Sequence, residues 1–186
     1  MRGKRRVSGY TLSEIVVTLA VITILAGTLA PLAFHQVAKA RRARALRDIA
    51  AIAEAVQAFR EDVRTYPDRS GGTSGVIGYL LTAGTAPGGL GSWQGPAGTT
   101  AQHLVANDPP GADYPETGST AWRGPYLPND PVDPWGHAYV LSVAGMRGDS
   151  GVRGWILSAG PNGVLETDDG DDAIPAGSDD IGWRLR

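Results

Sequence analysis

Hydrophobic and polar positions divide the chain into three regimes. The first is an uncharged run from Ile15 to Phe34. Arg2, Lys4, Arg5 and Arg6 precede it, and His35, Lys39, Arg41, Arg42, Arg44 and Arg47 follow it. About twenty helical residues cover roughly 30 Å, the hydrocarbon thickness of a bilayer. One acid, Glu14, opens the run, and a carboxylate there is costly in lipid unless it is neutral or paired. In the second regime Ala45, Ile49, Ile52, Val56, Phe59 and Val63 recur at spacings of four and three, one face of a helix. The pattern stops near Tyr66-Pro67, because the residue before a proline resists helical geometry. One helix from about Leu12 to Arg64 follows, roughly 80 Å long, with a bend expected at Pro31.

The third regime is weaker. From Ser70 to Arg123 the chain reads as loops, with short elements at Val76–Leu81 and His103–Val105 and with Trp93 and Trp122 as loop anchors. An aromatic ligand platform is the alternative for those two tryptophans. Two strands are predicted at Tyr139–Val143 and Trp155–Ser158, joined by a polar turn over Gly145–Gly151.

Composition sharpens the picture in three places. The 186 residues suit an anchor plus one modest body, and 26 Gly with 13 Pro make that body loop-rich. Without cysteine there is neither a disulfide nor a thiolate metal site. The net charge of -2 conceals an asymmetry: the bases gather before Asp48, and seven acids lie between Glu166 and Asp180. Basic clusters flank the uncharged run on both sides, so charge alone gives no orientation. The Lys39–Arg47 cluster has no interleaved aromatic residues, so no nucleic-acid partner is expected.

Three readings of the N-terminal run stay open on composition: a cleaved secretory signal, a signal anchor and a more specialised motif. For the 45-to-63 stripe the alternatives are a dimeric coiled coil and packing on the chain's own sheet. The acidic tail offers the dense oxygen donors that Ca²⁺ takes in flexible loops, the alternative being a solvated loop. No enzyme motif is evident. His35, His103 and His137 have no metal-ligand spacing, and no nucleophile elbow or phosphate loop stands in context.

The residues themselves go further. A basic leader, then Gly9-Tyr10-Thr11-Leu12-Ser13-Glu14 and an apolar helix, resembles the signal of type IV pilins and type II secretion pseudopilins. Farther on, YLPNDPVDPWGHAY over 126–139, followed by SAGPNG over 158–163, resembles the body of the major pseudopilin. The resemblance implies an α+β pilin fold, with one long N-terminal helix on a small antiparallel sheet. It implies a cytoplasmic leader over 1–9, cut between Gly9 and Tyr10 by a prepilin peptidase, with methylation at Tyr10. It further implies a membrane-spanning helical half over 10–35, a periplasmic half over 36–66, a loop-rich insertion over 67–123, and the sheet with its acidic loop over 124–186.

The implied role is that of a structural subunit of the type II secretion pseudopilus, driving export of folded proteins. It would self-assemble through Glu14 and meet minor pseudopilins and the inner-membrane assembly platform. A type IV pilus or competence subunit is the alternative, and a membrane-anchored enzyme or binding module a distant one. The resemblance also implies a structural Ca²⁺ held by Asn162, where the family often has Asp, by Asp180 and by the Ala159 carbonyl. Asp168, Asp169, Asp171, Asp172 and Asp179 are further candidates.

Overall fold

The computed structural model describes residues 9–70, 76–149 and 151–185, and within these the backbone alone of 28–32. Helix α1 runs from Leu12 to Val63 without interruption. Its start is a capping box. The Thr11 hydroxyl accepts the Glu14 N–H at 3.3 Å, and Glu14 Oε2 accepts the Thr11 N–H and hydroxyl, each at 3.0 Å. It ends at Arg64, whose φ of 63° leaves the helical region just before the Tyr66-Pro67 step.

The chain comprises two units, residues 1–41 and 42–186. In the first, Ile15, Val16, Val17, Leu19, Val21 and Ile22 are all exposed. The Thr18 and Thr23 hydroxyls donate back to the carbonyls of Glu14 at 2.7 Å and Leu19 at 2.8 Å. A threonine bonded to its own helix presents no unmet donor to an apolar surrounding. Among the described residues no helix is long and apolar enough to cross a membrane. The uncharged run, however, extends into residues 28–32, whose side chains lie outside the described set, as does the bend expected at Pro31.

The second unit is built on a five-stranded sheet of order β2-β1-β3-β4-β5. The strands are β1 (Tyr79–Leu81), β2 (Ala97–Thr99), β3 (Val140–Ser142), β4 (Gly154–Ser158) and β5 (Ile181–Leu185). β1–β3, β3–β4 and β4–β5 are antiparallel, whereas β1–β2 is parallel. Side chains alternate between the two faces. Leu80, Leu141, Ile156 and Ile181 join the α1 stripe, and all six stripe residues are buried with them. The coiled-coil alternative therefore gives way to packing on the chain's own sheet. Val140, Trp155 and Leu157 face the other way and are covered by Trp93, Ala159 and Leu165.

Two expectations require correction. The sheet is not confined to 124–186, because the segment taken as a loop-rich insertion supplies β1 and β2, and β1 lies between β2 and β3. A strand of three residues is too short to show a period, so pairing and burial define it rather than pattern. The turn expected after β3 begins as a helical turn, α2 (Val143–Arg147). It is capped by the Ser142 hydroxyl, which accepts the Gly145 N–H at 3.2 Å. Trp93 and Trp122 do anchor loops. Their indole N–H groups donate to the carbonyls of Thr167 at 3.2 Å and His103 at 3.0 Å.

Candidate functional site

Two stretches of the C-terminal region converge beyond the end of β4. The first is a 3-10 turn, Gly160–Asn162, with Ala159 fully buried at its head. The second is Ser178–Asp180, which leads into β5. Gly160 permits the approach: a Cβ there would lie 2.5 Å from the Asp179 carbonyl oxygen.

The convergence gathers three carboxylates. One oxygen from each of Glu166, Asp179 and Asp180 lies within 4.8 Å of the others. Oxygens that share a cation at 2.3–2.6 Å are separated by at most roughly 5 Å, so the spacing suits a hard cation. Asp180 Oδ2 is spent on protein, accepting the N–H groups of Glu166 at 3.1 Å and Thr167 at 2.9 Å and the Thr167 hydroxyl at 2.7 Å. Its Oδ1 and that of Asp179 are buried without a hydrogen-bond partner. Burial pushes the Asp180 carboxyl above its ordinary range, the Thr167 bonds oppose this, and the nearby Glu166 charge adds to it. Among the described residues none of the three acids makes an ion pair with a basic side chain. Buried anionic oxygens without a counter-charge are costly, and a divalent cation would remove that cost. The donors present therefore fit calcium.

Asn162 organises the set. Its backbone N–H donates to Asp179 Oδ2 at 3.1 Å and its side-chain N–H to Glu166 Oε1 at 2.6 Å, while its Oδ1 accepts the Val164 N–H at 2.7 Å. The Ser178 hydroxyl holds the other Glu166 oxygen at 2.9 Å.

Similarity to known proteins bears on what this chain is. The family model described as type II secretion system protein G matches residues 99–176, and the prokaryotic N-terminal methylation motif matches residues 4–30. The type II secretion system core protein G of Escherichia coli K12 is 30% identical over 169 residues, which cover 91% of this chain and 92% of that protein. The chain belongs to the type II secretion protein G family. Core protein G of Aeromonas hydrophila is 28% identical over 98% of this chain and 96% of its own length. That of Dickeya chrysanthemi is 28% identical over 89% and 85%. No solved structure gives a significant match.

Within this protein G chain the expected metal residues separate into two groups. Asn162, Asp179 and Asp180 come together, joined by Glu166, which the sequence reading missed. Its one signal was its place as the first acid after the SAGPNG turn. Asp169, Asp171 and Asp172 have other partners. Asp172 pairs with Arg153 at 2.8 Å and Arg184 at 3.1 Å. Asp169 Oδ2 accepts the Gln94 N–H at 2.8 Å, and Asp171 Oδ2 the Asp168 N–H at 2.9 Å. They fasten the tail to β4, β5 and the β1–β2 connection.

At the other end of the chain Gly9 has open space around it, and Tyr10 is 84% exposed. Glu14 is exposed and serves the helix cap.

Proposed function

We propose that this chain is a structural subunit of the type II secretion pseudopilus. A prepilin peptidase cuts between Gly9 and Tyr10, and the new N-terminus at Tyr10 is methylated. The methylation motif running directly into α1, with its exposed apolar side chains from Ile15 to Leu25, carries this reading. The subunit waits in the inner membrane as a single-pass protein with its body in the periplasm. During assembly the apolar half of α1 exchanges lipid for neighbouring helices. Glu14 then leaves its cap to meet the amine of Tyr10 on an adjacent subunit, a pair that selects register in low dielectric. Minor pseudopilins and the inner-membrane platform are the other partners, and growth of the filament drives folded proteins outward. The role is structural, without catalysis.

Calcium is the structural ion of the body in this reading, held by Glu166, Asp179 and Asp180. Asn162 orients Glu166, and the Ala159 carbonyl is available to complete the shell. The deciding experiment is deletion of the gene from its host with complementation in trans. Loss of secretion with twitching and DNA uptake intact is expected. Intact secretion overturns the proposal.

A further inference from the structure

Among the described residues the Asp133-Pro134-Trp135-Gly136 turn, on which part of the resemblance rested, makes no hydrogen bond or ion pair with the three clustered carboxylates. Yet Asp133 is buried, and both of its oxygens are occupied. Oδ1 accepts the N–H of Trp135 at 2.9 Å and of His137 at 2.7 Å, which closes the turn on itself. Oδ2 accepts the Ser158 hydroxyl at 2.7 Å, across to the last residue of β4. Ser158 Oγ in turn accepts the Gly160 N–H at 3.2 Å, at the start of the 3-10 turn. The hydroxyl thus spends its donor on Asp133 and its acceptor on Gly160, and it works only with both neighbours in place.

A second contact reaches the same turn from its far end. The His137 ring covers Gly163, where a Cβ would stand 2.5 Å from Nε2. Gly163 holds a φ of 71°, and its carbonyl accepts the Gly88 N–H at 2.9 Å. Both ends of the turn that carries Asn162 are therefore set by residues 133–137.

We infer that Asp133, acting through Ser158, and His137, acting against Gly163, are positioning residues that set the calcium affinity of the Asn162–Asp180 loop. The inference rests on the metal reading above. A shell that must accept six to eight oxygens loses affinity when the backbone carrying them is free to move. Partners outside the ligand set are commonly worth 10–100-fold in metal affinity. Ser158→Ala removes the relay hydroxyl and leaves the Asp133 turn closed through Oδ1.

The test is calorimetric titration of CaCl₂ into the chelator-stripped full-length chain in detergent, beside thermal melts in chelator. For Ser158→Ala the calcium Kd should rise about tenfold. Ser158→Thr, which keeps the hydroxyl, should restore most of the affinity. Ile49→Val, in the core beneath α1, should lower the melting point and leave Kd at the wild-type value. That contrast separates positioning from general destabilisation. His137→Ala should weaken binding in the same direction as Ser158→Ala. A wild-type chain that takes up no calcium overturns the metal reading and this inference together. A wild type that binds, alongside a Ser158→Ala variant that binds equally tightly, overturns this inference alone.

Discussion

Asn162 donates its side-chain amide to Glu166 Oε1 at 2.6 Å, four residues along the chain. The acid it holds is one that the spacing of the tail did not suggest. A negative charge at 162 is absent, and one at 166 is brought to the same cluster.

Asn162→Asp should therefore divide the effect by condition. In chelator the new carboxylate faces Glu166, Asp179 and Asp180 and loses the bond to Glu166, so stability should fall by roughly 1 kcal/mol. In millimolar calcium it should equal or exceed the wild type. Thermal melts of the full-length chain in both conditions check this, and a uniform loss would contradict it.

Calcium itself should raise the melting temperature. An ion that binds only the folded state contributes about 2.7 kcal/mol at a hundredfold excess over Kd. Against the roughly 5–15 kcal/mol that holds a typical domain, this is a large share. Asp180→Ala should abolish most of the shift, whereas Asp113→Ala, outside the loop, should not. Magnesium should substitute poorly, because it demands a tight octahedral shell. A melting temperature indifferent to calcium would reduce the loop to solvated acids.

Gly9→Val should block maturation. A branched side chain at the residue before the cut should not enter a peptidase site shaped for glycine. Coexpression with a prepilin peptidase and N-terminal sequencing read the result. Tyr10 as the first residue of the wild-type product, and an intact N-terminus in the variant, are the expected outcomes.

Glu14→Ala should leave membrane insertion unharmed, since it removes an expensive group from an apolar run. Loss of the capping box should loosen the first turn of the helix. Filament assembly should fail for want of a partner to the Tyr10 amine. Normal filament numbers by electron microscopy would remove Glu14 from assembly.

His103 should make the body acid-sensitive. It is buried in the short helical turn Ala101–Val105, with Nδ1 hydrogen-bonded to the Tyr114 hydroxyl at 2.8 Å and Nε2 without a partner. Burial, reinforced by the Arg69 charge, lowers its pKa to about 4. Above the ordinary value near 6.5 both folded and unfolded chains carry it neutral, so it contributes no pH dependence there. As the pH falls from about 6.5 to 4 only the unfolded chain takes up the proton, and folding loses up to about 3 kcal/mol. His103→Gln should flatten this part of the stability profile relative to wild type. Identical slopes between pH 7 and 4.5 would refute it.

The sequence announced α1 because its stripe runs long enough for the spacing to be unambiguous, and all six stripe residues are buried. β3 and β4 were legible for a similar reason, as apolar runs bounded by turn residues. β1 was not. Tyr79–Leu81 is three residues beside a glycine, and it becomes a strand through Leu141 on one side and Gly98 on the other. The metal loop was half legible. Composition marks a region rich in oxygen donors, but it cannot tell that Asp172 will meet Arg153 and Arg184 while Glu166 turns toward Asp180. Those choices are made by chain reversals that local pattern does not encode.

The interior place of β1, between β2 and β3, bears on how the body comes into being. Leu80 pairs with Leu141, roughly sixty residues later, and closing so long a loop costs entropy before any contact repays it. β3, α2 and β4 are contiguous and can form early. β1 must wait for them, and the core facing α1 stays open in a nascent chain until synthesis has passed Ile181 on β5. Pulse-labelled hydrogen exchange should find the amides of β3 and β4 protected before those of β1. The reverse order would mean that α1 recruits β1 first.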